Sequence, residues 1–330
     1  MLERVAKGGE LDLIRMIHGR VRGGSAVRLG IGDDAAVLQP PLKHNVLVTT
    51  DFSLEGRHFQ RNWHPPHSVG HRCLTRGLSD LAAMGANPLG AFLSLALPEG
   101  FTQTDGGKDW VKAFVDGLLE LGHRFHTPLA GGDTAASPDN NILIDIVLVG
   151  SAPRGEELRR SGAKPGDGIY VTGALGGSAV ELKSLASKPG RYQLAEADGT
   201  HPHLFPEPRL PQGAKLLQRR WATSAIDISD GLSTDLRHIC DESKVGAVID
   251  AALIPLHPLL KNAKSPLVAA LHGGEDYELL FTASAETVIP DQIEGVPVTR
   301  IGEITDDSVV LLQRNGRKEV LKPAGWEHQI

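Results

Sequence analysis

Apolar positions along the first half of the chain change their period several times, and each change marks an element. Leu11, Leu13, Ile14 and Ile17 fall mostly on one helical face, which predicts a short helix over 11–17. Residues 46–50 form a β-branched run ending at Asp51, the pattern of a buried strand that delivers a carboxylate at its end. Val69, Cys73, Leu74, Leu78, Leu81 and Ala82 recur at helical spacing, predicting a helix over 67–84 with Gly85 as its C-terminal cap. A strand over 90–97, a helix over 110–121 and a strand over 142–150 follow. Helices and strands alternate, but some strands arrive in succession. That order favours a mixed α+β (mixed α/β) sheet over a doubly wound parallel one.

Residues 151–168 are dense in Pro, Gly and charge, so a domain boundary is placed at their start, dividing 1–150 from 151–330. The length of 330 residues agrees with two domains of about 150 each. The second half opens with a strand over 169–172, a Gly-rich turn over 173–177 and a helix over 178–185. Residues 186–206 carry Lys188-Pro189-Gly190, Asp198-Gly199 and several His and Pro, and read as an exposed loop. A helix over 212–220, a strand over 225–228, a helix over 233–240 and strands near 246–250, 277–283, 297–304 and 308–313 complete the reading. Both halves contain a strand closing on an acidic, Gly-containing turn.

Composition narrows the class of partner. Forty acidic against 34 basic residues give a net charge of −6, which argues against a protein that coats nucleic acid. A small anionic substrate stays open, because metal ions supply positive charge locally. Cys73 and Cys240 stand far apart with no C-x-x-C pair, so neither a disulfide framework nor a zinc knuckle is expected. No stretch approaches the roughly 18 apolar residues of a membrane helix, and Met1-Leu2-Glu3-Arg4 opens no secretory hydrophobic region. The expectation is a reduced, cytoplasmic protein without a membrane partner.

The chemistry is carried by aspartates. Gly32-Asp33-Asp34, Thr49-Thr50-Asp51, Leu78-Ser79-Asp80, Gly131-Gly132-Asp133-Thr134 and Asp227-Ile228-Ser229-Asp230-Gly231 each set Asp beside Gly, Ser or Thr at predicted strand ends or helix starts. A sixth acidic segment is Gly273-Gly274-Glu275-Asp276-Tyr277-Glu278. Read singly, an Asp beside Gly is a turn residue or helix N-cap. Asp51 is harder to read that way, because a carboxylate terminating an apolar strand lies near the core and needs a partner. Read together, the six suit magnesium, which prefers carboxylates, hydroxyls and water and bridges them to substrate phosphates. Spacing leaves both readings standing.

Two familiar nucleotide signatures are missing: there is no G-x-x-x-x-G-K-[ST] and no protein-kinase Gly-rich loop with H-R-D. Gly173-Ala174-Leu175-Gly176-Gly177 follows a strand and precedes a helix but lacks the G-x-G-x-x-G order, so it reads as a tight turn rather than an NAD site.

The segments GIGDDAAVL (30–38), VTTD (48–51), LSDLAAMGA (78–86), GGDT (131–134), RSGAKPGDGIYVTG (160–173), AIDISDGLSTDL (225–236) and GGEDYELLFT (273–282) together resemble the thiamine-monophosphate kinase family. That family belongs with the aminoimidazole-ribonucleotide and selenophosphate synthetases. The resemblance spans nearly the whole chain in the expected order. It implies two α/β domains, the N-terminal sheets of two subunits joining into a barrel at a homodimer interface, and ATP bound beside several Mg²⁺ ions, with a monovalent cation open. By position it implies a magnesium set of Asp34, Thr49, Thr50, Asp51, Asp80, Asp133, Asp227 and Asp230. ATP would meet Gly132, Asp133, Arg160 and Ser229, and thiamine phosphate would meet His58, Glu275 and Trp326. Alongside stand plainer readings: Arg160 as a linker charge, His58 as one histidine among 14, and Trp326 as a surface aromatic.

The reaction so implied is in-line transfer of the γ-phosphate of ATP to thiamine monophosphate, without a covalent nucleophile or phosphoenzyme. A selenophosphate synthetase would carry a reactive Cys in its N-terminal segment, and residues 6–25 contain none. A non-catalytic nucleotide-binding regulator would have lost some of the acidic ligands, and here every expected Asp is present.

Overall fold

The computed structural model describes residues 9–190 and 192–327, and the chain divides into two compact units. The first comprises Met1–Gly77, Pro88–Ser151 and Lys188–Glu196; the second comprises Leu78–Asn87, Ala152–Ser187 and Ala197–Ile330.

The first unit runs α1 (Glu10–His18), β1 (Val27–Leu29), β2 (Val37–Leu38), β3 (His44–Leu54), α2 (Pro66–Ala83, whose residues from Leu78 on belong to the second unit), β4 (Asn87–Leu97), α3 (Asp105–Arg124), β5 (Leu129–Ala136) and β6 (Leu143–Pro153). Strands β3, β6, β4 and β5 form one sheet in that order, with β4 and β5 parallel, and β1 pairs antiparallel with β2. Helix α3 starts five residues before its first apolar position because the Thr104 hydroxyl accepts the N–H of Gly107, capping the helix with Asp105 in its first turn. Trp110, Val111, Phe114, Val115 and Leu118 make its buried stripe. Helices α2 and α3 cross on two glycines: a Cβ at Gly70 would lie 1.9 Å from the Phe114 carbonyl oxygen, and one at Gly117 would lie 1.9 Å from that of His67. Strand β3 alternates, with Leu47 and Ser53 buried while Val46, Val48 and Phe52 are 53%, 65% and 62% exposed.

The second unit continues with β7 (Gly168–Thr172), α4 (Gly177–Ser187), α5 (Leu210–Arg219), β8 (Ser224–Asp227), α6 (Leu232–Ser243), β9 (Gly246–Asp250), α7 (Pro266–His272), β10 (Leu279–Ala283), β11 (Gln292–Ile293), β12 (Val296–Thr305), β13 (Val310–Arg314) and β14 (Arg317–Val320). Its sheet has the order β14-β13-β9-β12-β7-β10-β8, with β11 on β12; β13 pairs parallel with β9, and the other neighbours pair antiparallel. Ile169, Val171, Ile226, Leu236, Ile239, Ile249 and Leu280 belong to the core between this sheet and its helices. The mixed α/β fold is that expected.

Four local expectations change. Asp51 does not end its strand: β3 continues to Leu54, because the alternation carries on through exposed Phe52 and buried Ser53. The segment 131–134 is not a strand end or helix start but the middle of β5, where Leu93 and Ser94 of β4 pair with Gly132 and Asp133. Residues 201–206 are not an exposed loop. Leu204 and Phe205 are buried, and the Glu181 carboxylate accepts the backbone N–H groups of His203 and Leu204, replacing the water such a segment normally needs. Helix α7 and the edge strand β14 carry short patterns that the sequence reading passed over.

Candidate functional site

In the first unit the loop 30–36 and the strand β5 line one cavity of about 590 Å³, and Asp34, Gly132 and Asp133 all lie on it. Glycine is required here. Gly132 sits at φ +156, and a Cβ would meet the Leu93 carbonyl oxygen at 1.9 Å. The Asp133 carboxylate accepts the Thr134 N–H at 2.9 Å, and the Thr134 hydroxyl donates to Glu10 of α1 at 3.2 Å. Asp33 accepts the Asp34 N–H at 2.9 Å and so holds the turn, and both aspartates line the cavity.

On β3 the two-residue period separates the three sequence-predicted positions. Thr49 and Asp51 share the face of buried Leu47 and Ser53, whereas Thr50 lies on the opposite face with Val48 and Phe52. There its hydroxyl donates to Asp145 of β6 at 2.8 Å. Asp145 is a carboxylate that the sequence reading missed, because β6 otherwise reads as plain core. Beyond β3, the His58 Nδ1 accepts the Leu54 N–H at 3.0 Å, which puts the ring proton on Nε2 in the neutral form. The buried Arg72 donates to the His58 carbonyl at 3.3 Å, and the Glu55 carboxylate is paired with Arg61 at 2.5 Å, so this turn is tied down from α2 and from within.

In the second unit β8 ends on Asp227, which is buried and accepts the Ser79 hydroxyl at 2.7 Å. Asp80, half-buried on the next position of α2, belongs to the same unit. The segment 228–230 is held on two sides: Glu275 N–H donates to the Ser229 carbonyl at 2.8 Å, and Trp326 N–H to the Asp230 carbonyl at 3.0 Å. The tail reaches Asp230 only because residue 325 is glycine, since a Cβ there would sit 2.0 Å from the Asp230 carbonyl oxygen. Ser229, Asp230, Glu275 and Trp326 are thereby brought together.

Asp235 was missed although it lies in the same motif. Its carboxylate accepts the N–H groups of Asp230 and Gly231 at 3.2 and 3.0 Å, capping α6 from within. Burial, then the charges of Asp227 and Asp230, push its carboxyl up to about 8 against those two hydrogen bonds. Ligand atoms of Asp230, Asp235 and His238 lie within 4.8 Å of one another. Crowded carboxylates, Asp235 among them with raised proton affinity, are the donor set that a divalent cation relieves, so the residues fit magnesium.

Arg160 is not brought to this group. Its carbonyl accepts the Ser243 hydroxyl at 3.0 Å at the far end of α6, about 18 Å along a helix of 12 residues from the Asp230 end, and its side chain is exposed. The Gly-rich turn before α4 is likewise occupied from inside the unit. Asp276 accepts the N–H groups of Gly176 and Ser178 at 2.6 and 3.2 Å, and burial raises its carboxyl to about 7. Among the described residues no helix is long and apolar enough to cross a membrane.

Residues 32–152 match the AIR synthase related protein N-terminal domain, and residues 164–313 match the corresponding C-terminal domain. The chain is 41% identical over 334 residues to the thiamine-monophosphate kinase of Escherichia coli K12, covering 97% of this chain and 98% of that one. The crystal structure of thiamine-monophosphate kinase from Stenotrophomonas maltophilia K279a superposes with a TM-score of 0.77 at 36% identity, covering 92% of this chain and 95% of that one. AaThiL, solved as a complex with AMPPCP and TMP, gives a TM-score of 0.75 at 30% identity over 99% of both chains. With 41% identity over 97% of its length and both domains matched, the chain belongs to the thiamine-monophosphate kinase family.

Proposed function

We propose that this chain transfers the terminal phosphoryl group of ATP to the phosphate of thiamine monophosphate, releasing ADP and thiamine diphosphate. The observation that carries this reading is the full-length likeness to AaThiL, a relative solved with AMPPCP and TMP together. Asp34, Thr49, Asp51 and Asp133 of the first unit and Asp80, Asp227 and Asp230 of the second are the residues that would hold magnesium. Thr50, whose side chain lies on the other face of β3, would contribute only its carbonyl. Bound there, the ions offset the charge on donor and acceptor phosphates.

Gly132 and Ser229 would present backbone and hydroxyl groups to ATP, with Asp133 beside them and Arg160 meeting another part of the nucleotide. Thiamine carries a cationic thiazolium ring, and a carboxylate with an indole, Glu275 and Trp326, suits such a ring. His58 would donate from Nε2 to the phosphate end. The acceptor phosphate is already ionised near neutral pH, so no side chain has to remove a proton, and transfer is direct, with no phosphoenzyme. A monovalent cation beside the phosphates is compatible with the same acidic set. In this reading 1–150 supplies most of the phosphate and metal residues, and 151–330 adds Asp227 and Asp230 and completes the nucleotide and substrate site, in the cytoplasm.

A homodimer is supported by the face of β3 that leaves Val46, Val48 and Phe52 largely exposed, a row of apolar side chains that a second sheet would cover. Val48→Asp is expected to yield monomers by sedimentation. The activity itself is tested by incubating the protein with ATP, Mg²⁺ and thiamine monophosphate and resolving products by chromatography. Thiamine diphosphate is the expected product; its absence, or preferred turnover of hydroxymethylpyrimidine phosphate or an aminoimidazole precursor, would overturn the reading.

A further inference from the structure

The stretch 197–207 has no helix or strand, yet it delivers one fully enclosed polar side chain. His203 is 1% exposed, and its Nδ1 lies 3.0 Å from the Ser178 hydroxyl and 3.4 Å from the Glu275 carboxylate. Its position is set from below by Glu181 of α4, itself 3% exposed. That carboxylate accepts the His203 N–H at 2.7 Å, the Leu204 N–H at 3.4 Å and the His201 ring at 2.5 Å. A buried carboxylate with three donors is a rigid anchor, since removing any of them would leave charge uncompensated. Glu275, by contrast, sits on an irregular segment at φ +64, a backbone conformation that costs a non-glycine residue energy. Its backbone is tied to Ser229 through the Glu275 N–H.

We infer that His203 is a positioning residue for Glu275: anchored by Glu181, it directs an Nδ1–H at the Glu275 carboxylate and holds that group in the orientation that meets the cationic ring of the substrate. The inference rests on the functional reading given above. With a carboxylate as one neighbour of Nδ1 and a hydroxyl, which can accept as well as donate, as the other, the proton is favoured on Nδ1. Ordering Glu275 before the substrate arrives lowers the cost of binding without touching the phosphoryl groups. The effect therefore falls on thiamine monophosphate and not on ATP.

The test compares His203→Leu, which keeps most of the volume and loses the N–H, with His203→Asn, which keeps an N–H near the place of Nδ1. His203→Leu is expected to raise the KM for thiamine monophosphate about tenfold, with kcat and the KM for ATP within about twofold, while His203→Asn stays near the wild type. An unchanged KM for thiamine monophosphate, or a parallel loss in both substrates and kcat, overturns the inference. Histidine ¹⁵N spectra supply a reading that does not need a folded Leu variant, the His203 signal being assigned by its absence in His203→Asn. The wild type should show Nδ1 protonated, and Glu275→Gln should move that resonance; an unmoved resonance overturns the contact. Wild-type protein that neither binds nor turns over thiamine monophosphate would instead sink the functional reading, a result the spectra distinguish from failure of the His203–Glu275 contact.

Discussion

In the first unit Asp34 and Asp133 stand exposed on glycine-shaped backbone beside an open cavity, whereas in the second Asp227 and Asp235 are buried within hydrogen-bond networks. The two groups solve one problem, keeping carboxylates near each other, by different physics. Water screens the first group, so its placement depends on backbone shape: Gly132, Asp33 and the pairing of β5 with β4. The second group has lost that screening, and it answers by hydrogen bonding and, at Asp235, by holding a proton longer. An acidic residue therefore says little until its solvent is known.

The sharpest way to break this contrast is the same substitution in both groups. Asp133→Asn and Asp227→Asn should each reduce turnover about a thousandfold or more, because each removes a carboxylate that would hold magnesium beside the phosphates. Their effects on the ligand-free fold should differ. Asp133→Asn is expected to leave the denaturant midpoint nearly unchanged, while at a pH above about 8, where Asp235 has lost its proton, Asp227→Asn should raise stability by about 1 kcal/mol by relieving its repulsion with Asp235. Equal midpoint shifts in the two variants would show that burial does not separate the groups.

The second unit also contains a buried pair that carries no expected chemistry. Arg209 grips Glu278 with two hydrogen bonds, at 2.6 and 2.5 Å, and the Thr172 hydroxyl adds a third at 2.6 Å. Arg209→Met should destabilise the fold by about 3 kcal/mol in urea titration, since it strands a buried carboxylate. Surface pairs such as Arg15 with Asp12 should change stability by less than about 0.5 kcal/mol when broken.

How much of this was legible beforehand follows the same divide. Elements with a long apolar period, α2, α3 and β6, read directly from spacing, and the aspartates stood out beside glycine. Hidden from sequence were the side chains that serve those residues. Asp235 looks like one more helix-surface charge until the close return of 228–231 shows whose N–H groups it accepts. His203 sits in a Pro- and His-rich stretch whose composition signals exposure, and only the distant Glu181 reverses that. The two faces of β3 were legible in principle, because a strand that contains both Thr49 and Thr50 must send them opposite ways. Ending the strand at Asp51 concealed it. Arg160 is the converse case: its motif fits, yet its local anchor lies at the other end of α6.

Asp276, the carboxylate that accepts the N–H groups at the start of α4, carries the pH dependence of the contrast. Its proton affinity is raised in the fold to about 7 from an ordinary 3.8, chiefly by burial, then by Glu278 and Glu275, with the Gly176 and Ser178 N–H groups opposing. A folded state that holds a proton more tightly than the unfolded chain is favoured at low pH. The contribution is therefore complete below about pH 4 and is lost as pH rises through about 7. Asp276→Asn removes the titration and one of the two backbone hydrogen bonds, so the variant should be the less stable protein at pH 5. The wild type alone loses stability between about pH 4 and 7, as its unfolded chain gives up a proton that the fold retains, so the difference should change over that range and level off above about pH 7. Urea midpoints at intervals across that range measure it. A difference that stays constant would mean that water reaches this carboxylate as freely as it reaches Asp133, and that the buried character of the second group does not extend to the turn before α4.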